Sequence, residues 1–148
     1  MNNKEIKSSL HFIDYIVNFI EFHRNDDFEE STPNIDFNIN REVDYLEDED
    51  NTMLVTIEVT LFDNPKENNY PFSMKLNVTG IFELENIALD KRESFAEVNS
   101  VAILFPYIRS LITTYTSNSN VPPLILPPIN VLKLIEKEKE KEKIKKIK

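Results

Sequence analysis

Apolar and polar residues alternate with period two in three well-separated stretches. Ile35, Phe37, Ile39, Val43 and Tyr45 share one side of the first, with Asp36, Asn38, Asn40, Glu42 and Asp44 on the other. Arg41 is the one exception on the apolar side. Val55, Ile57, Val59 and Leu61 oppose Thr56, Glu58 and Thr60 in the second. Phe72, Met74, Leu76 and Val78 oppose Ser73, Lys75, Asn77 and Thr79 in the third. Such alternation predicts strands with one buried and one solvated face. Ile13 to Phe22, "IDYIVNFIEF", predicts a fourth strand apolar on both sides, with Tyr15, Val17 and Phe19 on one and Ile16, Ile20 and Phe22 on the other. "LEDEDN" and "DNPKENNYP" are turns between strands, so the simplest arrangement is an antiparallel sheet. The single glycine, Gly80, lies inside the last strand pattern, where it predicts a bulge or change of direction.

After Asp90 the period changes to that of a helix. Phe95, Val98, Val101, Ala102, Phe105, Ile108, Leu111, Ile112 and Tyr115 form its main stripe over about residues 94–116. Ile103, Leu104 and Tyr107 fall off that stripe. Pro106 either kinks the helix or opens its second half. "VPPLILPPINV", Val121 to Val131, then holds four prolines and no charge or glycine. It predicts a stiff, extended, greasy loop. A second helix is expected from about Val131, fraying within the Lys/Glu-alternating tail. The fold class is therefore α+β: a four-stranded antiparallel sheet, a long helix, a proline-rich loop and a C-terminal helix.

At 148 residues one domain is expected, here residues 1–136, followed by a charged tail at 137–148. Charge is unevenly placed. Residues 133–148 hold 8 of the 17 bases and 4 of the 26 acids, so the body before them is strongly anionic. That body should repel nucleic acid and anionic membrane. The chain has no cysteine, which fits a reducing compartment, and the start "MNNKEIKSSLHF" carries no signal-like apolar run. No uninterrupted apolar run reaches the ~18 residues of a membrane helix. A cytoplasmic location without direct membrane insertion is the expectation.

Enzyme chemistry finds no foothold. One glycine allows no phosphate-cradling loop, and His11 and His23 have no partners at metal-ligand spacing. The acidic runs lack the central glycine of a calcium loop. No catalytic residue, metal site or cofactor is assigned. What remains is apolar surface in excess. Tyr15, Val17 and Phe19 on the first strand, with Ile103 and Tyr107 on the helix, need more cover than one chain supplies and are the expected oligomer interface. The rest is either core and subunit interface or a groove for apolar peptide segments.

"NSVAILFPYIRSLI" followed by "VPPLILPPINV" resembles the SecB family of protein-export chaperones. Leu104, Phe105, Pro106, Tyr107 and Arg109 match the family's helix motif. Pro122, Leu124, Leu126, Pro128, Ile129 and Asn130 match its loop, and Thr79 to Leu84, "TGIFEL", resembles its fourth strand. The resemblance implies a soluble ATP-independent holdase. It would bind unfolded preproteins or other client polypeptides, assemble as a homotetramer built from two dimers, and pass clients to the SecA motor of the Sec pathway. It implies a client groove walled by Phe37, Ile39, Phe105, Ile108, Leu124, Leu126 and Ile129. It also implies a partner-binding acidic face, for which Asp36, Glu42, Asp44 and Glu58 are the candidates. Two alternatives stay open: a SecB-like chaperone dedicated to an antitoxin of a toxin–antitoxin system, and a structural oligomer with no chaperone role.

Overall fold

The computed structural model describes residues 8–46, 51–128, 130, 133–138 and 140. Four strands, β1 (Ser9–Arg24), β2 (Phe37–Leu46), β3 (Thr52–Leu61) and β4 (Phe72–Glu85), form one antiparallel sheet in the order β1-β4-β3-β2. The expected four-strand sheet is present, and its order is what alternation could not supply. β1 and β2 follow each other in sequence yet lie at opposite edges. The connection between them is pinned by Asn25, which is buried. Its side-chain amide donates to the carbonyls of Pro65 (3.1 Å) and Tyr70 (2.9 Å), and its carboxamide oxygen accepts from the N–H of Asp27 (3.0 Å). Asn69 makes a second tie, exchanging two hydrogen bonds with the backbone of Glu29. A single helical turn, α1 (Pro65–Asn68), fills the β3–β4 connection.

β1 does not keep the simple alternation read from its sequence. Its pairing with β4 shifts between Phe12 and Asp14 and again between Val17 and Phe19. These two bulges, at Ile13 and Asn18, each reverse the facing of the residues beyond them. Phe12, Tyr15, Val17, Ile20 and Phe22 therefore sit opposite Phe82, Gly80, Val78, Leu76 and Met74, all facing the core. Phe19 is on the other face with Ile16, opposite Asn77 and Thr79. The expectation that Tyr15, Val17 and Phe19 share a face is thus corrected: two extra residues moved most of the strand's apolar side chains to one side. Ile13, Ile16 and Phe19 stay exposed, as does Val17 on the core-facing side.

The long helix begins as a 3₁₀ turn (Leu89–Lys91) and a π-helical turn (Arg92–Glu97), then runs as α2 (Val98–Ser117) with Pro106 inside it. By length and composition the run Leu89–Ser117 is apolar enough to cross a membrane, with a mean hydropathy of 1.3 in its richest window. Its Val101, Leu104, Phe105, Ile108 and Ile112 are closed in against the sheet. Leu104 is therefore not off the packing stripe. It lies over Gly80, whose missing side chain makes the space. A Cβ there would fall 2.8 Å from the Phe82 ring and 3.1 and 3.2 Å from the two methyls of Leu104. Gly80 has no positive φ, and β4 passes through it in unbroken register with β3. The glycine serves close approach of the helix, and the change of direction lies in the neighbouring β1.

The proline loop is held along α2. Arg109, Thr113 and Thr116 recur at helical spacing and so share one face. Thr116 Oγ1 accepts the N–H of Leu124 (2.9 Å), Thr113 Oγ1 donates to the Leu124 carbonyl (2.9 Å), and Arg109 Nε donates to the Leu126 carbonyl (2.9 Å). The loop is extended, so its side chains alternate: Leu124 and Leu126 enter the core while Ile125 is exposed. Asn130 then caps a helix, α3, described over residues 133–138. Its side chain accepts the N–H of Lys133 (3.1 Å) and its carbonyl that of Leu134 (3.1 Å). The expected start of this helix at Val131 lies outside the described residues.

Two substitutions check this packing by urea unfolding. Gly80→Ala forces a methyl between Phe82 and Leu104 and is expected to lower stability by about 1–3 kcal/mol, as overpacking does. Leu126→Ala, at a side chain 1% exposed, is expected to cost about 2–5 kcal/mol.

Candidate polypeptide-binding groove

The side chains that close the core also fix an open groove beside it. Among the described residues, β2 pairs with β3 on one side only. The N–H of Phe62 donates to the carbonyl of Asp36, in step with the neighbouring Phe37–Leu61 pairing. In an antiparallel ladder this puts the hydrogen-bonding groups of Asp36, Asn38 and Asn40 toward β3, and those of Phe37 and Ile39 on the opposite edge. A groove of about 750 Å³ runs along that edge, between residues 35–40 and α3. Ile35, Phe37, Ile39, Pro128 and Leu134 give it apolar walls, and Asp36, Lys133 and Lys137 stand among its polar lining.

The residues expected to wall a groove are divided by the structure. Phe37 and Ile39 line it. Phe105, Ile108, Leu124 and Leu126 are buried beneath the helix and loop, because the extended loop directs them inward. None of the four is among the residues that line it. Ile129 lies outside the described residues. Ile35, 41% exposed, was legible as the first member of the Phe37–Ile39 alternation. Leu134 was not legible as groove lining, since helical spacing gives a stripe but not the partner that the stripe faces.

A charged network ties the α3 wall to the start of α2, and one of its members, Glu138, itself lines the groove. Arg41, the odd residue on the apolar side of β2, bonds Glu97 through Nη1 (3.1 Å) and Glu138 through Nε (3.0 Å). The Tyr45 hydroxyl donates to the other oxygen of Glu97 (2.7 Å), and the Arg92 guanidinium lies 4.9 Å from the centre of the Tyr45 ring. Burial, with the Glu97 carboxylate as acceptor, pushes the Tyr45 hydroxyl well above the ordinary tyrosine range and keeps it a donor.

The remaining candidates are spread over two regions. Tyr15 and Tyr107 pack on each other, ring centres 5.2 Å apart, with Phe12 against both. Ile103 is half-buried on the core, whereas Val17, Phe19 and Tyr107 are each 37–41% exposed. Glu42, Asp44 and Glu58 lie on the outer face of the sheet, where Asn77 donates to Glu58 (3.3 Å). Asp36 is exposed just before β2. The outer face carries a polar lattice in which Asn18 donates to Asn77 and Thr79, and Thr79 bonds Thr56.

Comparison with known proteins agrees with this architecture. The family model described as preprotein translocase subunit SecB matches residues 17–142. An uncharacterized protein of Methanocaldococcus jannaschii is 44% identical over 126 residues, covering 84% of this chain and 81% of that one. The protein-export protein SecB of Neisseria meningitidis is 30% identical over 115 residues, covering 77% and 76%. Among solved structures, the Rv1957 SecB-like chaperone of Mycobacterium tuberculosis, in complex with a ChAD peptide from the HigA1 antitoxin, superposes with a TM-score of 0.63. That match has 16% identity and covers 82% of this chain and 88% of that one, which shows a common fold. With its sheet, long helix, clamped proline loop and C-terminal helix in this order, the chain belongs to the SecB family.

Proposed function

We propose that this protein is a cytoplasmic, ATP-independent holdase that captures unfolded polypeptides in the groove between β2 and α3. The observation that carries the reading is an apolar groove laid along an unpaired strand edge. Such an edge offers main-chain hydrogen bonds to any extended segment, independent of its sequence. The apolar walls take alternate side chains, and the alternation of the guest strand decides which ones. Many clients can thus be held weakly, and affinity rises when one unfolded chain meets several grooves on an oligomer. Delivery to SecA is the finer part of the proposal. It rests on family membership together with the carboxylates of Glu42, Asp44 and Glu58 on one face, which suit a cationic partner segment. The antitoxin peptide carried by the M. tuberculosis protein supports polypeptide binding on this fold; at 16% identity it does not choose this chain's client.

Self-association belongs to the same proposal. Ile13, Ile16, Val17 and Phe19 leave apolar surface along β1, an edge strand whose outer side has no pairing among the described residues, and Tyr107 leaves more on the helix. A second copy covering β1 would remove an edge that otherwise invites aggregation.

Two measurements test these statements. Ile35→Ser removes a groove side chain that is 41% exposed. It is expected to leave the urea midpoint nearly unchanged and to weaken suppression of client aggregation severalfold. An unchanged activity would remove the groove from client binding. Light scattering at micromolar concentration is expected to show at least a dimer, and a stable monomer would overturn the β1 interface.

A further inference from the structure

Arg41 breaks the apolar pattern of β2 and is absent from the residues that line the groove, whereas its partner Glu138 is one of them. Its side chain is only 10% exposed, and its single guanidinium is shared between two carboxylates from different elements. Glu97 closes the π-helical turn that leads into α2, and Glu138 lies in α3. The two bonds are not equivalent. Both oxygens of Glu97 are partnered, one by Arg41 and one by Tyr45. Glu138 is bonded through one oxygen, and its second oxygen is buried without a hydrogen-bond partner among the described residues.

Such a pair is a poor source of stability. Desolvating a carboxylate and a guanidinium offsets most of their attraction, and a buried oxygen left unpaired adds a further cost. Its use is directional. Residues 133–138, the continuous described run of α3, make fewer than two helical turns, and turns so few need tertiary contacts to hold their position. Burial of Ile135 and the partial burial of Leu134 attach α3 to the core, but apolar contacts allow sliding. A guanidinium bonded along two fixed directions does not, and its other bond ties it to the start of α2.

We infer that Arg41 is a positioning residue for client binding. Acting through Glu138, it holds α3 at a set distance from the β2 edge, so that an extended segment is gripped between the strand and Leu134. This inference rests on the groove being the client site. It adds that the width of the groove is set by a charged residue that never touches the client.

The experiment uses the full chain and a fluorescently labelled, permanently unfolded client made by reducing and alkylating a disulfide-containing protein. Glu138→Gln keeps the shape of the side chain and removes its charge. Its affinity for the client is expected to fall about 3- to 10-fold, with tenfold corresponding to about 1.4 kcal/mol. The urea midpoint should stay as in the wild type, while amide hydrogen exchange should accelerate in residues 133–138 and not in β3 or β4. Because Glu138 itself lines the groove, Arg41→Lys is the deciding variant: its ammonium lacks the fork needed to span both carboxylates, and it should show the same loss of affinity and the same faster exchange in residues 133–138. Glu136→Gln, the same charge change at an exposed position of α3, should bind as the wild type does. If the wild type binds no unfolded client, the groove reading itself fails. If the wild type binds and Arg41→Lys binds equally, Arg41 does not position the wall, and any loss in Glu138→Gln reflects direct contact of Glu138 with the client. If Glu138→Gln binds more tightly, α3 obstructs the groove rather than forming it, and the inference is overturned. A loss of affinity that only tracks a fall in the urea midpoint of both variants would reduce the network to general stability and overturn it as well.

Discussion

Leu104 occupies the space that a side chain at position 80 would need, and the architecture depends on that contact. Because Gly80 lets α2 come down onto the sheet, Val101, Phe105, Ile108 and Ile112 reach the apolar face of β3 and β4 and close it from water. Helix position in turn fixes where Arg109, Thr113 and Thr116 stand. Those three side chains determine the path of the proline loop, whose prolines cannot supply backbone donors of their own. The loop then delivers Asn130 as the cap of α3, and α3 arrives opposite the open edge of β2. A close approach at one glycine is thus transmitted, contact by contact, to a groove on the far side of the helix.

The groove and the core divide the apolar residues according to backbone direction rather than hydrophobicity. Leu124, Ile125 and Leu126 are nearly equal as apolar side chains. Extended geometry sends the outer two inward and leaves Ile125 in water. The same logic separates Phe37 and Ile39, whose backbone groups face the open edge, from Asn38 and Asn40, whose backbone groups serve β3. Proline stiffness suits both tasks. It lowers the entropy lost when the loop is ordered on α2 and prevents the loop from collapsing into the space that it borders.

Charge organises the periphery. The polar face of the sheet is a lattice of Asn, Thr and Glu side chains that bond one another and stay solvated. On the opposite face, one arginine joins the strand edge, the start of α2 and α3. Its neighbour Tyr45 is held protonated by burial beside Glu97 and completes the set. An apolar residue at position 41 would fit the strand pattern equally well, but it could not set an angle between three elements.

Much of the fold was legible in the residue pattern. Period-two alternation identified three strands, the change of period after Asp90 identified the helix, and four prolines identified an extended segment. These are local properties, set by backbone sterics and by which side of an element is apolar. The family likeness lay in residues 104–109 and 122–130, where motif and spacing are also local. Tertiary structure decided the rest. Two bulges moved the facing of β1, and bulges are invisible to alternation because each adds only one residue to the count. Gly80 was marked as unusual by its identity, but only the helix packed above it showed that the reason was space. Phe105, Ile108, Leu124 and Leu126 were expected as groove wall, whereas all four are buried in the core, a placement that depends on what lies across from them. Arg41 was recognisable as an exception, but its partners Glu97 and Glu138 lie 56 and 97 residues away. No sequence period extends over such distances. Period and composition report what a residue can do within its own element, and the meeting of elements, which makes the site, is settled only when the chain packs.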